Sequence, residues 1–139
     1  MSFQGSKLFE KTYIVTDAEA IHFLGPEVTP GLSTPSLVCW MELTSRENAQ
    51  PLLNPGEDTV GVSVEIKHLA PTPVGMKVRV VSKLQSVEGR IYSFEIEAFD
   101  EVEKIGEATH VRASINVAKF AARIAAKKEK AGAKQVRCE

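Results

Sequence analysis

The chain has 139 residues and a mass of 15.2 kDa, is 43% hydrophobic and 25% charged, and carries a net charge of −1. That size allows one domain with one core, and the balance of charge excludes a disordered chain and gives no field to draw nucleic acid. No apolar run approaches the roughly 20 residues that span a bilayer, so no membrane partner is expected. The N-terminus "MSFQGSKLFEK" lacks the apolar core and small-residue cleavage site of a signal peptide. Cys39 and Cys138 make a poor disulfide framework and read as free thiols in a reducing cytoplasm. Ligand spacings of the CxxC or HxxxH kind are absent, as is a Gly-rich phosphate loop, so neither a metal nor a cofactor is expected.

Lys11 to Val15 reads as a short strand, and "TDAEAIHFLG" as a short helix capped by Thr16 or Asp17. Gly25 to Pro35 holds two Gly and three Pro and reads as an irregular, partly stiffened loop. Thr34 followed by Pro35 suits a helix start, with Thr34 as cap and Pro tolerated in the first turn. That helix should run to about Leu53, where "NPGED" ends it.

Beyond Asp58 the period changes to that of strands. "TVGVSVEIKHLA" alternates, with Val60, Val62, Val64, Ile66 and His68 on one face. "PTPVG" turns the chain, and "KVRVVSKLQSV" and "RIYSFEIEAFD" form two strands joined by a hairpin at "EGR". "EVEK" turns into "IGEATHVRASINV", whose Ile105, Thr109, Val111, Ala113, Ile115 and Val117 share one side, with His110 and Arg112 on the other. A helix over about 118–130 and a polar tail over 131–139 complete a single domain spanning 1–139. The sum is an α+β domain in which a long helix covers one face of an antiparallel sheet. The helix is apolar nearly all round from Leu37 to Leu43, so a second surface should cover it, most simply that of a second copy.

Five residues could carry chemistry. Glu42 sits in the most apolar short run of the chain, "LVCWMEL". It is a candidate base or nucleophile, unless its side chain escapes to water or pairs with a core cation. His68 ends the apolar face of its strand and reads as a satisfied core residue or as a proton-transfer group. Thr34 is explained by capping alone. Arg112 reads as a solvated or dimer-facing charge, and His22 as a surface residue. Gly61 interrupts its strand where a bulge or the close approach of a ligand would require it.

"TPSLVCWMELTSREN", "VGxxVxxxHLAPTPxG" and "DExExIGExTHxR" together resemble the hotdog-fold thioesterases, most closely the fluoroacetyl-CoA thioesterase-like group, over about Leu24 to Ala125. The resemblance implies a hotdog fold in which a long central helix is wrapped by a curled antiparallel sheet. It also implies a homodimer with an acyl-CoA site at its interface. The group's catalytic Thr, Glu and His fall on Thr34, Glu42 and His68. Its Gly and Arg near the thioester fall on Gly61 and Arg112, which reads as substrate binding.

The implied reaction is hydrolysis of a short or medium acyl-CoA thioester to free acid and CoA. Glu42 would act as nucleophile or base, His68 would move the proton, and Thr34 would position one of them or attack through its hydroxyl. Backbone N–H groups near Gly61 would hold the oxyanion. The alternative is a non-catalytic acyl-CoA-binding or sensor protein on the same fold. A hydratase of the same superfamily ranks lower, because its His-containing motif is absent. Thr34 and Glu42 stand eight residues apart, about 12 Å of helical rise, so they cannot share a proton within one helix. Either the loop before Pro35 folds back, or the site mixes residues from two subunits. "GPEVTPGLS" offers Val28 and Leu32 but no aromatic residue, and nothing in it announces selection for a halogenated acyl group. The basic C-terminal helix could attract the phosphates of CoA, although a solvated amphipathic helix packed through Phe120 and Ile124 is the better account of it.

Overall fold

The computed structural model describes residues 5–132 and opens on strand β1 (Lys7–Ile14), which begins earlier than the pattern after Lys11 suggests. β1 is an edge strand with much of its surface exposed, and that mutes its alternation. Thr16 caps only a single 3-10 turn, Asp17–Glu19. The Glu19 carboxylate accepts from the Thr16 N–H at 2.9 Å while the Thr16 hydroxyl accepts from the Ala18 N–H. The longer helix expected here does not form, because β2 (Ala20–Ile21) follows at once and pairs with β3 (Gly31–Leu32) across the Gly/Pro loop.

Helix α1 (Thr34–Ala49) is capped by Ser33, not by Thr34. Ser33 has extended backbone, and its Oγ accepts from the Ser36 N–H at 3.2 Å. Thr34 is thereby the first helical residue, and its hydroxyl is released for other work. A 3-10 turn, Gln50–Leu52, continues α1 to Leu53. The buried side of α1 presents Leu37, Trp40, Met41, Thr44, Ser45, Asn48 and Ala49, while Cys39 and Leu43 stay exposed on the other. Polar groups on the buried side are paired: Thr44 Oγ1 lies 2.9 Å from the Tyr13 hydroxyl, and Asn48 Nδ2 donates to the Ser82 carbonyl at 3.1 Å.

Strands β4 (Glu57–His68), β5 (Lys77–Glu88), β6 (Ile91–Phe99) and β7 (Lys104–Asn116) join β1 in one antiparallel sheet ordered β1-β5-β6-β7-β4. β5 and β6 are linked by a two-residue hairpin whose Gly89 takes a φ of +61°, a conformation that favours glycine. The Asp100 carboxylate accepts from the Val102 and Glu103 N–H groups and so builds the next turn. Val78, Val80, Leu84, Phe94, Ile96 and Ala98 face α1 and form the core with Leu37, Trp40 and Met41.

The sheet is neither closed nor strongly curled, which corrects the expectation of a helix wrapped by a curled sheet. Five strands at about 4.8 Å each span some 24 Å. Encircling a helix at a packing distance of about 10 Å would take roughly 60 Å. The helix therefore lies against one face of an open sheet, whose edges β1 and β4 stay apart.

Two faces also differ from the sequence pattern. The register of β4 shifts between Gly61 and Ser63, so Val62 is a bulge residue, 60% exposed. The inward face is Thr59 and Gly61 before the bulge, then Val64, Ile66 and His68 after it, because these pair with Ser114, Arg112, His110, Ala108 and Gly106. In β7 the buried side is Ala108, His110, Arg112 and Ser114, so Arg112 is a core residue, not a solvated charge. Helix α2 (Val117–Ala131) is capped by Asn116, whose side-chain oxygen accepts from the Lys119 N–H at 3.0 Å. Phe120 is half-buried but Ile124 is 57% exposed, so the expected packing through Ile124 is not made. Most of the polar tail, with Cys138, lies outside the described residues.

Candidate active site

Once Ser33 takes over the cap, the Thr34 hydroxyl reaches His68 at the end of β4. Thr34 Oγ1 and His68 Nδ1 are 2.8 Å apart. Burial lowers the His68 pKa below the ordinary imidazole value, with a backbone group of Ala70 working against it. His68 is therefore neutral near pH 7 and can accept a proton. Its Nε2 is buried without a partner among the described residues. A buried imidazole nitrogen in that position calls for a group from outside the chain as described.

Glu42 projects two helical turns further on, toward the middle of β4. A Cβ placed on Gly61 would lie 2.6 Å from Glu42 Oε1 and 3.5 Å from His110 Cε1. Gly61 is thus the residue that lets the carboxylate lie against the strand, and its backbone needs no unusual φ to do so. Behind it stand His110 and Arg112, buried at 1% and 5% exposure. Arg112 donates from Nε to the Thr59 hydroxyl and from Nη2 to the Thr59 carbonyl, both at 2.8 Å. Its Nη1 lies 3.2 Å from His110 Nε2, and His110 Nδ1 lies 2.8 Å from the Ser63 carbonyl. Burial pulls the Arg112 pKa down, and the charge of Glu42 opposes that pull.

The five residues singled out from the sequence therefore fall into two groups. Thr34 and His68 form one pair; Glu42, Gly61 and Arg112 cluster some 12 Å along α1. No hydrogen bond joins Glu42 to Thr34 or His68 among the described residues, so Glu42 does not face His68 of its own chain. The loop before Pro35 does not fold back to close the gap: Val28 in it is 45% exposed, and Phe23 and Leu24 just ahead of it are 81% and 56% exposed. His110, Thr59 and Ser63 were not legible as site residues. The available signal was His110 two residues from Arg112, the spacing that places both on one face of a strand.

Cavities also lie elsewhere among the described residues. One of about 770 Å³ lies over Lys83, Glu95, Lys104 and Glu107 on the sheet, and one of about 450 Å³ lies beneath Leu24, Pro26 and Val28. Neither is lined by Thr34, Glu42 or His68. Among the described residues no helix is long and apolar enough to cross a membrane.

A long helix laid on one face of an antiparallel sheet is the architecture of the hotdog fold, and likeness to known proteins makes the chain a thioesterase of that fold. Residues 15–118 match the family model of the fluoroacetyl-CoA-specific thioesterases, and the chain belongs to that family. A fluoroacetyl-CoA thioesterase from Streptantibioticus cattleyicolor is 34% identical over 122 residues, covering 84% of this chain and 88% of the relative. A solved structure of the fluoroacetyl-CoA thioesterase FlK superposes with a TM-score of 0.83 at 32% identity, over 91% of this chain and 98% of that one. A Thermus thermophilus hypothetical protein of the thioesterase superfamily superposes with a TM-score of 0.85 at 31% identity, over 94% and 97% of the two chains.

Proposed function

We propose that this protein hydrolyses a short or medium acyl-CoA to free acid and CoA, in a reducing cytoplasm, at a site completed between two copies of the chain. The observation that carries this reading is the division of the site: a Thr34–His68 pair whose His68 Nε2 has no partner among the described residues, and a Glu42 carboxylate about two helical turns away. β4 is an edge strand with an exposed Val62, and α1 leaves Cys39 and Leu43 exposed. Antiparallel pairing of β4 with its own copy, centred between Val64 and Glu65, sets Gly61 opposite the partner's His68. Glu42, which rests on Gly61, then meets the imidazole that lacks a partner.

In the reaction, His68 Nδ1 takes the proton from the Thr34 hydroxyl as its oxygen attacks the thioester carbonyl carbon. Glu42 from across the interface accepts from Nε2–H and steadies the imidazolium. The proton then passes to the sulfur as the C–S bond breaks and CoA leaves. Water, deprotonated in turn by His68, hydrolyses the acyl-threonine to the free acid and restores Thr34. Arg112 orients the acyl end beside Glu42, and backbone N–H groups near Gly61 hold the oxyanion.

The test is thiol release from a panel of acyl-CoAs of increasing chain length, fluoroacetyl-CoA included, with wild type and Glu42→Ala. Turnover of short or medium acyl-CoAs that the substitution abolishes supports the reading. Tight binding without turnover shows a binding protein instead.

A further inference from the structure

Arg112 is buried, yet among the described residues none of its hydrogen bonds goes to a carboxylate. It has five N–H donors. Three are committed, to the Thr59 hydroxyl, the Thr59 carbonyl and His110 Nε2. The Thr59 contacts grip one edge of the guanidinium and the His110 contact grips the other, which fixes its plane. Two donors remain.

The contact to His110 requires a particular protonation. The Ser63 carbonyl can only accept, so the proton of the neutral ring sits on Nδ1, 2.8 Å away. Nε2 then offers a lone pair, and an Arg112 N–H can donate to it at 3.2 Å. The other tautomer would turn an N–H toward the guanidinium and leave the Ser63 carbonyl unmet. The same register shift that makes Val62 a bulge residue sets Ser63 opposite Val111, next to His110 in β7. Phe94 holds the imidazole by stacking, with ring centroids 5.9 Å apart.

We propose that His110 is a positioning residue of the hydrolysis. Held as the Nδ1–H tautomer by the carbonyl of Ser63 beside the β4 bulge, it aims the guanidinium of Arg112 toward Glu42 and the acyl end of the substrate. The inference rests on the role given to Arg112 under the proposed function. The chain of command runs from bulge to carbonyl, to imidazole, to guanidinium, and the imidazole itself touches no reacting atom.

Two measurements test it. The first needs no substrate: ¹⁵N resonances of the His110 imidazole in the wild-type protein at pH 7 should show a protonated Nδ1 and an unprotonated Nε2. The opposite tautomer, or an imidazolium, overturns the proposal even where the enzyme is active. The second compares kinetics. His110→Phe keeps the stacking on Phe94 and removes both ring hydrogen bonds, and should lower kcat about 10- to 100-fold with KM changed less than about threefold. His110→Gln, which can still offer an acceptor to Arg112, should recover most of that loss. In an Arg112→Met background, His110→Phe should add nothing further. Multiplied losses in the double variant, or no rescue by Gln, show a purely structural histidine and overturn the proposal. Should no acyl-CoA be turned over, the proposed function fails while the tautomer result still stands. Should His110→Phe fail to fold, the tautomer result alone decides.

Discussion

Gly61→Ala is the substitution whose consequence can be worked most directly from the structure. The added Cβ would stand 2.6 Å from Glu42 Oε1, against the 3.4 Å at which ordinary contact begins, so the carboxylate must retreat by about 0.8 Å. Its second contact, 3.5 Å to His110 Cε1, is already comfortable. The obstructing atom is the end of a flexible side chain, and the Gly61 backbone is not in the left-handed region, so the fold absorbs the change. Replacing Gly by Ala also restricts the unfolded chain, which favours folding by about 0.4–1 kcal/mol. Activity should suffer instead, because displacing a catalytic group by about 1 Å can cost on the order of 100-fold. We expect kcat for thiol release to fall about 30- to 100-fold, equivalent to about 2–2.7 kcal/mol of transition-state stabilisation, with Tm unchanged or raised. An enzyme within about twofold of wild type would show that the place of Glu42 against the strand does not matter to catalysis.

Two further outcomes follow from the same contacts. Ser33→Ala removes the helix cap and should cost about 1 kcal/mol in urea unfolding with little change in kcat, while Thr34→Ala should leave stability nearly intact and lower kcat about 100-fold or more. If the two effects were exchanged, Thr34 would be the cap after all. Burial lowers the pKa of His110, which the second copy does not reach in this account, below the ordinary 6.5. Below about pH 6.5 the unfolded chain therefore binds protons that the native one refuses, so stability should fall with pH in that range, before the carboxylates titrate. Unfolding midpoints at pH 7 and 5.5 read this directly, and equal values would contradict a neutral buried imidazole.

From Thr34 onward the element order was legible because each segment keeps one period, whereas β2, in its short pairing with β3, stands where a helix was expected. The Thr34–Pro35 start, the "EGR" hairpin and the four closing strands each rest on local chemistry that tertiary contacts reinforce. The faces were less legible. One extra residue at Val62 reverses the alternation of β4; Gly61 beside it pointed to a bulge or a close approach, but its type does not say which way the faces then turn. In β7 the buried face carries His110 and Arg112 and the half-buried one carries Val111 and Ala113, so hydrophobicity pointed the wrong way. Polar residues could be buried there because Thr59, Ser63 and each other supply their hydrogen bonds, and Thr59 and Ser63 lie about 50 residues away in sequence. Thr34 and Glu42 were readable as types, and their spacing already barred a direct proton transfer. Which of Ser33 and Thr34 caps the helix depends on backbone angles that the sequence leaves open. The curl of the sheet came from resemblance alone, and five strands do not supply it.

The central claim, that Glu42 of one copy serves Thr34 and His68 of the other, is tested most directly by subunit complementation. Glu42→Ala and His68→Ala are expressed separately and then together, with two tags to isolate the mixed dimer. Each homodimer should be inactive. The mixed dimer contains one site with both groups intact and one with neither, so it should recover about half of the wild-type kcat per dimer. A mixed dimer as inactive as its parents would place the whole site within one chain and contradict the account.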